Sequence, residues 1–188
     1  VRMICSATYF QYNNQLYEQT RGLPMGSPIS PLLVDIFMET VEEEILEKAG
    51  QTVKQWYRYV DDTLVIMEEA QVEEMLKYMN NMYPHLKFTY EKWQNRTINF
   101  LDCLIQVRKD GTVVTSVYRK KTDTRKTLEF TSCHPNHTKF NTTKWYFQCA
   151  KAICNDRKQL NQEIQYVREM LRANKYPNRT INRALKTV

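Results

Sequence analysis

The sequence predicts an α+β fold: an antiparallel sheet with helices on one face, followed by a small, basic helical domain. Three observations carry that prediction. Short β-rich runs alternate with helix-period segments up to about residue 118, helical spacing alone follows residue 122, and 188 residues at 42% hydrophobic are enough to bury a core. The domain boundary is placed near Lys121, giving domains 1–121 and 122–188.

The elements follow in order. Residues 5–20 alternate loosely around Asn13-Asn14 and predict a hairpin. GLPMGSPISP, residues 22–31, is a loop with two glycines and three prolines. Ser30 as N-cap and Pro31 at the first helical position predict a helix start. That helix should run to Ala49 with Leu33, Ile36, Phe37, Thr40, Val41 and Ile45 on one face, and end at Gly50. Residues 54–60 and 63–67 predict two strands, and residues 70–82 a helix with Val72, Met75, Leu76 and Met79 at helical spacing. Leu86, Phe88 and Tyr90 alternate as a strand would. Residues 98–107 and 112–118 predict a hairpin around Asp110-Gly111. Helices are expected over 138–154 and 156–174, the latter striped by Leu160, Ile164, Val167 and Leu171.

Charge is unevenly spread. Residues 1–103 hold 9 Lys and Arg against 15 Asp and Glu, whereas residues 104–188 hold 18 against 6. An acidic half beside a basic half suits a carboxylate site next to a surface that meets polyanions. Five cysteines without framework spacing point to a reducing, intracellular compartment. Asn-x-Thr sequons begin at Asn95, Asn136, Asn141 and Asn178 and would favour secretion behind a signal peptide, but none is visible in these 188 residues. No apolar run approaches the roughly 20 residues that span a bilayer, so no membrane partner is expected.

Within WYRYVDDTLVIM, residues 56–67, Asp61 and Asp62 stand side by side between strand-like runs. Like charges repel and sheets deplete aspartate, so the pair is badly placed for stability. Taken alone it reads as an exposed turn. A divalent cation reverses the cost, because Mg²⁺ takes a few carboxylates, keeps waters and uses substrate phosphates for the rest. Two such ions about 3.5–4 Å apart can hold the attacking and leaving oxygens of a phosphoryl transfer. In the loop before the helix, Gly22 and Gly26 let backbone lie close to a ligand, and the helix start offers free N–H groups.

GLPMGSPISP followed by a helix, then YVDD between strands, resembles the B and C motifs of reverse transcriptases. INFLDCLI (98–105), TSVYRKKTDT (115–124), SCHPNHTK (132–139) and NKYP (174–177) extend the resemblance to the Penelope-like retroelement branch across essentially the whole chain. The resemblance implies a partial polymerase palm followed by a small helical thumb. It implies RNA-directed DNA polymerase activity, with Mg²⁺ (two ions) or Mn²⁺ as cofactor. An RNA template, a DNA primer and deoxynucleotide triphosphates are its implied partners, and the nucleus its implied location.

By the same resemblance, Asp61 and Asp62 are the catalytic, metal-binding pair, with Asp62 assisting Asp61. Gly22, Leu23, Pro24, Met25, Gly26 and Ser27 meet the template and the incoming nucleotide. Tyr59, Arg119, Lys120, Lys121, His134 and Lys139 meet the primer strand of an RNA–DNA duplex. Met25 stands where most reverse transcriptases carry Gln, which makes that contact apolar.

Polymerases of this type take a further metal ligand from an earlier strand, and residues 1–34 contain no aspartate. The chain is therefore expected to be the C-terminal part of a polymerase, partnered by upstream fingers and palm and inactive without them. A catalytically inactive remnant, kept as a nucleic-acid-binding or protein-interaction module, is the rival reading. A telomerase-like or intron-type enzyme shares the central motifs but fits 98–139 less well. Cys133, His134, His137, Cys149 and Cys154 lack paired-ligand spacing, so zinc is not expected. Asp102 reads as structural. Of Glu39, Glu42, Glu43 and Glu44, several should face water.

Overall fold

The computed structural model describes residues 8–20, 22–24 and 26–188. Residues 5–7 of the expected hairpin, and Met25 of the expected loop, lie outside the described residues. The α+β class holds, and the chain forms two compact units, residues 1–90 and 91–188.

The first unit begins with an antiparallel hairpin, β1 (Tyr9–Tyr12) and β2 (Gln15–Glu18). Its two-residue turn is Asn13-Asn14, both at positive φ (51° and 60°), which asparagine tolerates better than most residues. Helix α1 (Ser30–Ala49) follows, then strands β3 (Val53–Tyr59) and β4 (Asp62–Met67), paired antiparallel, then helix α2 (Val72–Met82). Val41, Ile45 and Met79 form its core, with Trp56, Met75, Met82, Tyr83, Leu86 and Phe88 packed around them.

Several sequence expectations change here. Ser30 does not cap α1; its hydroxyl donates to the Pro24 carbonyl at 2.8 Å and so ties the preceding loop to the helix. The buried face of α1 is Met38, Val41, Ile45 and Ala49, while Ile36, Phe37 and Thr40 are exposed. Residues 86–90 do not form a strand. The Asn80 side chain satisfies both backbone groups of Phe88, at 2.7 and 3.0 Å, so that segment is pinned to α2 instead of to a sheet.

The second unit opens with an antiparallel three-stranded sheet, β5 (Thr97–Phe100), β6 (Cys103–Val107) and β7 (Val113–Val117). The sequence reads 98–107 as one strand, but a turn at Leu101-Asp102 folds it into two. The turn at Asp110-Gly111 forms as expected, with Gly111 at φ 86° and the Thr112 amide held by the Asp110 carboxylate at 2.9 Å. Helices α3 (Asn136–Ile153), α4 (Arg157–Ala173) and α5 (Asn178–Lys186) follow, and α5 is one the sequence reading missed. Phe147, Val167, Met170, Leu171, Tyr176, Ile181 and Ala184 form their core.

The expected single sheet is three separate small ones among the described residues. Packing divides the chain at Tyr90/Glu91, ahead of the Lys121 boundary expected from the sequence. The cause is local. Thr115 on β7 donates its hydroxyl to the Ile153 carbonyl and its backbone N–H to Asn155 Oδ1, which joins the hairpin to the helices that follow it.

Candidate active site

Asp61 and Asp62 sit at the tip of the β3–β4 hairpin. Tyr59 pairs with Asp62, leaving Val60-Asp61 as a two-residue turn. Val60 takes φ 57°. A β-branched side chain in the left-handed region costs roughly 1–2 kcal/mol, and such strain is retained where surrounding structure enforces it. Tyr59 is 62% exposed, and both aspartates are exposed.

The enforcement comes from α1. Alternation along β3 turns Trp56 and Arg58 toward the helix and Tyr57 and Tyr59 outward. Trp56 Nε1 donates to Glu42 Oε1 at 2.7 Å, and Arg58 Nε donates to the same oxygen at 2.7 Å. Arg58 Nη1 reaches Asp35 at 3.0 Å and the Val60 carbonyl at 3.3 Å. The hydrogen bonds it donates to Glu42 and then to Asp35 hold the guanidinium above its ordinary pKa, more than offsetting burial. Glu42 therefore faces the strand and not water. Period-2 counting from Trp56 could have found Arg58, because it sets a charge on an inward face.

The loop ahead of α1 is built from turns. Gly22 and Gly26 both take positive φ (78° and 88°), and Ser27 N–H approaches the Pro24 carbonyl at 3.4 Å. Gly22 and Gly26 are exposed; Leu23, Pro24 and Ser27 are half-buried. This loop runs straight into α1, and α1 holds the hairpin tip through Asp35 and Arg58. Loop and tip are thus mechanically linked.

Apart from Tyr59, the expected duplex-contacting residues fall in the second unit and separate into two kinds. Lys120, Lys121 and His134 are exposed. Arg119 instead makes a two-pronged ion pair with Glu163, one arm at 2.8 Å, and stacks 3.8 Å from the Tyr166 ring centre. Burial disfavours its charge, but Glu163 outweighs this and raises the guanidinium pKa. Lys139, expected at the primer strand, is not a surface lysine. It is 7% exposed, donates to the Ser132 carbonyl at 2.6 Å, and lies over the Phe130 ring. On α5, Arg179, Asn182, Arg183 and Lys186 line one exposed face opposite buried Ile181 and Ala184. Sequence reasoning missed that face because α5 was not recognised, although its i, i+3, i+4, i+7 spacing was readable.

Residues 2–105 match the reverse transcriptase (RNA-dependent DNA polymerase) family, and residues 127–186 match an animal helix-turn-helix domain. The first match covers more than half of the chain. The chain belongs to the reverse transcriptase family. No curated protein and no solved structure matches it.

This family uses divalent metal ions, and the chemistry of the tip fits one in part. The Asp61 and Asp62 side chains take no hydrogen bond or ion pair from a described residue, so their hard oxygen donors are open. No cluster of three or more His, Cys, Asp or Glu suited to a metal occurs among the described residues.

Proposed function

We propose that this chain supplies the catalytic hairpin and duplex-holding surface of a Penelope-like retroelement reverse transcriptase, which adds deoxynucleotides to a primer on an RNA template. The observation that carries the proposal is the pair of exposed, unpartnered carboxylates on an enforced turn in a chain of this family. Asp61, with Asp62 beside it, would hold Mg²⁺, which when bound supplies charge neutralisation at the reacting phosphate. Tyr59, outward beside them, offers a flat surface for the primer terminus. The loop at Gly22–Ser27, closed by Ser30 onto Pro24, presents backbone toward the template and the incoming base. The first unit is then the palm portion. Helices α3–α5 are the thumb, where Lys120, Lys121, His134 and the α5 cations offer charge to phosphates.

A further carboxylate is needed to complete the metal site, and a polymerase assembly must bring it. The test is Asp61→Asn in that assembly. Incorporation should be abolished while RNA–DNA duplex binding changes by less than about twofold, because metal ligation needs the charge and duplex binding does not. Asp62→Asn should be milder. Near-normal extension by Asp61→Asn would overturn the assignment.

A further inference from the structure

We propose that Arg58 is a positioning residue for the hairpin tip, holding the Val60-Asp61 turn in its left-handed conformation by clamping it to α1. The role in catalysis rests on the polymerase reading above; the clamp itself rests on geometry alone.

The argument begins with where Arg58 sits. It lies on the inward face of β3, with its side chain only 11% exposed, a place where an unpaired cation would be costly. Two carboxylates of one helix, Asp35 and Glu42, seven residues and about two turns apart, fix its guanidinium from two directions. Glu42 is itself 14% exposed and already holds Trp56, so its oxygen is not free to wander.

Fold support alone does not require this arrangement. Trp56 and Glu42 already join β3 to α1 two residues earlier. What Arg58 adds is its reach past its own strand position to the Val60 carbonyl, at 3.3 Å. Val60 is the residue with φ 57°, and its carbonyl belongs to the peptide that leads into Asp61. A carbonyl fixed there restricts rotation of that peptide plane, and hence the direction from which the two carboxylates project. A planar, always-charged fork can serve two carboxylates and a carbonyl at once, whereas an ammonium holds one point.

Glycine at position 60 would adopt positive φ without steric cost, so a turn built on it would need less enforcement. The strained residue and the clamp therefore form one device, and removing the strain should make the clamp dispensable. A residue that merely stabilised the fold would show no such relation to position 60.

The test has two arms. The first measures backbone amide exchange by NMR in the 188-residue chain. Arg58→Met should speed exchange at Tyr59 and Asp62 by about tenfold, the size expected for losing one hydrogen bond to a charged group. Exchange at Tyr57 and Leu64, the next hydrogen-bonded pair down the same ladder, should stay near the unaltered rate. Glu42→Gln keeps an acceptor for Trp56 and should give a smaller loosening confined to the tip. Adding Val60→Gly to Arg58→Met should restore slow exchange. Unchanged exchange at the tip, or uniform loosening of the hairpin that Val60→Gly fails to rescue, would overturn the proposal.

The second arm measures single-nucleotide incorporation by the assembled polymerase. Arg58→Met should lower kcat about tenfold or more with KM for nucleotide little changed, and Val60→Gly in that background should recover most of the loss. Full kcat in Arg58→Met would also overturn it. If the unaltered assembly incorporates nothing, the polymerase reading fails, and the exchange arm alone decides the clamp.

Discussion

The two units of this chain solve the same packing problem to different degrees. Residues 91–188 close a core of seven buried side chains, from Phe147 to Ala184, around three helices. In the first unit, Val41, Ile45 and Met79 are the buried cluster. Exposure shows the other side of that contrast. Among the described residues, fourteen large apolar side chains up to Tyr90 are exposed, including Tyr9, Tyr12, Leu16, Leu32 and Ile36, against four beyond it. The open unit is also the one that carries Asp61 and Asp62 and most of the family match. In this molecule the helical unit satisfies itself, and the unit that carries Asp61 and Asp62 leaves much of its apolar surface open.

The largest test of that contrast is a pair of core truncations. Phe147→Ala should cost the helical unit about 3–5 kcal/mol, because a fully buried ring in a closed core leaves a cavity. Ile45→Ala should cost the first unit about 2 kcal/mol, the low end of its range, since a sparse core relaxes around the loss. Urea unfolding can follow both, with Trp56 reporting the first unit and Trp93 and Trp145 the second. Equal losses, or a larger loss for Ile45→Ala, would break the comparison.

The same contrast explains what the sequence could and could not show. The strand pair around the aspartates, the Asn13-Asn14 and Asp110-Gly111 turns and the long helices are local matters of turn chemistry and spacing, and they were legible. The buried face of α1 was not. Its apolar residues run nearly all round, so spacing alone could not choose between the side of Ile36 and Phe37 and the side of Met38 and Val41. The alternation of Leu86, Phe88 and Tyr90 misled because a side chain, Asn80, took the role of a neighbouring strand. The resemblance located Asp61 and Asp62 but not Arg58, whose role depends on two partners 23 and 16 residues earlier. The resemblance grouped Arg119 and Lys139 with Lys120 and Lys121 as primer contacts. Only the fold shows that two of the four are used internally.

That division of the basic residues gives an intermediate test. Removing Arg119 leaves Glu163, with 9% of its side chain exposed, without its partner, and strips the cation from the face of Tyr166. Arg119→Ala should cost about 2 kcal/mol, below the 3–5 of a fully buried pair because the guanidinium is 26% exposed. Lys120→Ala, one residue on and exposed, should stay within about 0.5 kcal/mol. Urea midpoints of the two variants check this. Similar values would mean that the ion pair adds nothing to the helical unit.

The smallest expected effect is on acid stability, and it belongs to the helical unit. Four of its carboxyls titrate below their ordinary values. The Thr112 amide lowers Asp110, the Arg125 amide and the Tyr166 hydroxyl lower Asp123, Lys175 lowers Glu129, and the Lys158 amide and Arg108 lower Asp156. A carboxyl depressed in the folded state contributes stability that is present above its unfolded pKa and lost as pH falls through the folded one. The helical unit should therefore hold its melting temperature from neutrality to about pH 4.5 and lose stability progressively below that. All four groups are solvent-accessible, so each share is small. Salt separates their causes: screening should weaken the Glu129–Lys175 pair and leave the short-range amide bonds to Asp110 and Asp156 largely intact. Asp123→Asn should flatten the acid limb, because it removes one titrating group while keeping an oxygen for the Arg125 amide. A melting temperature that stays constant down to pH 2.5, or an acid limb unchanged by Asp123→Asn, would show that these contacts do not help to set the stability of the closed unit.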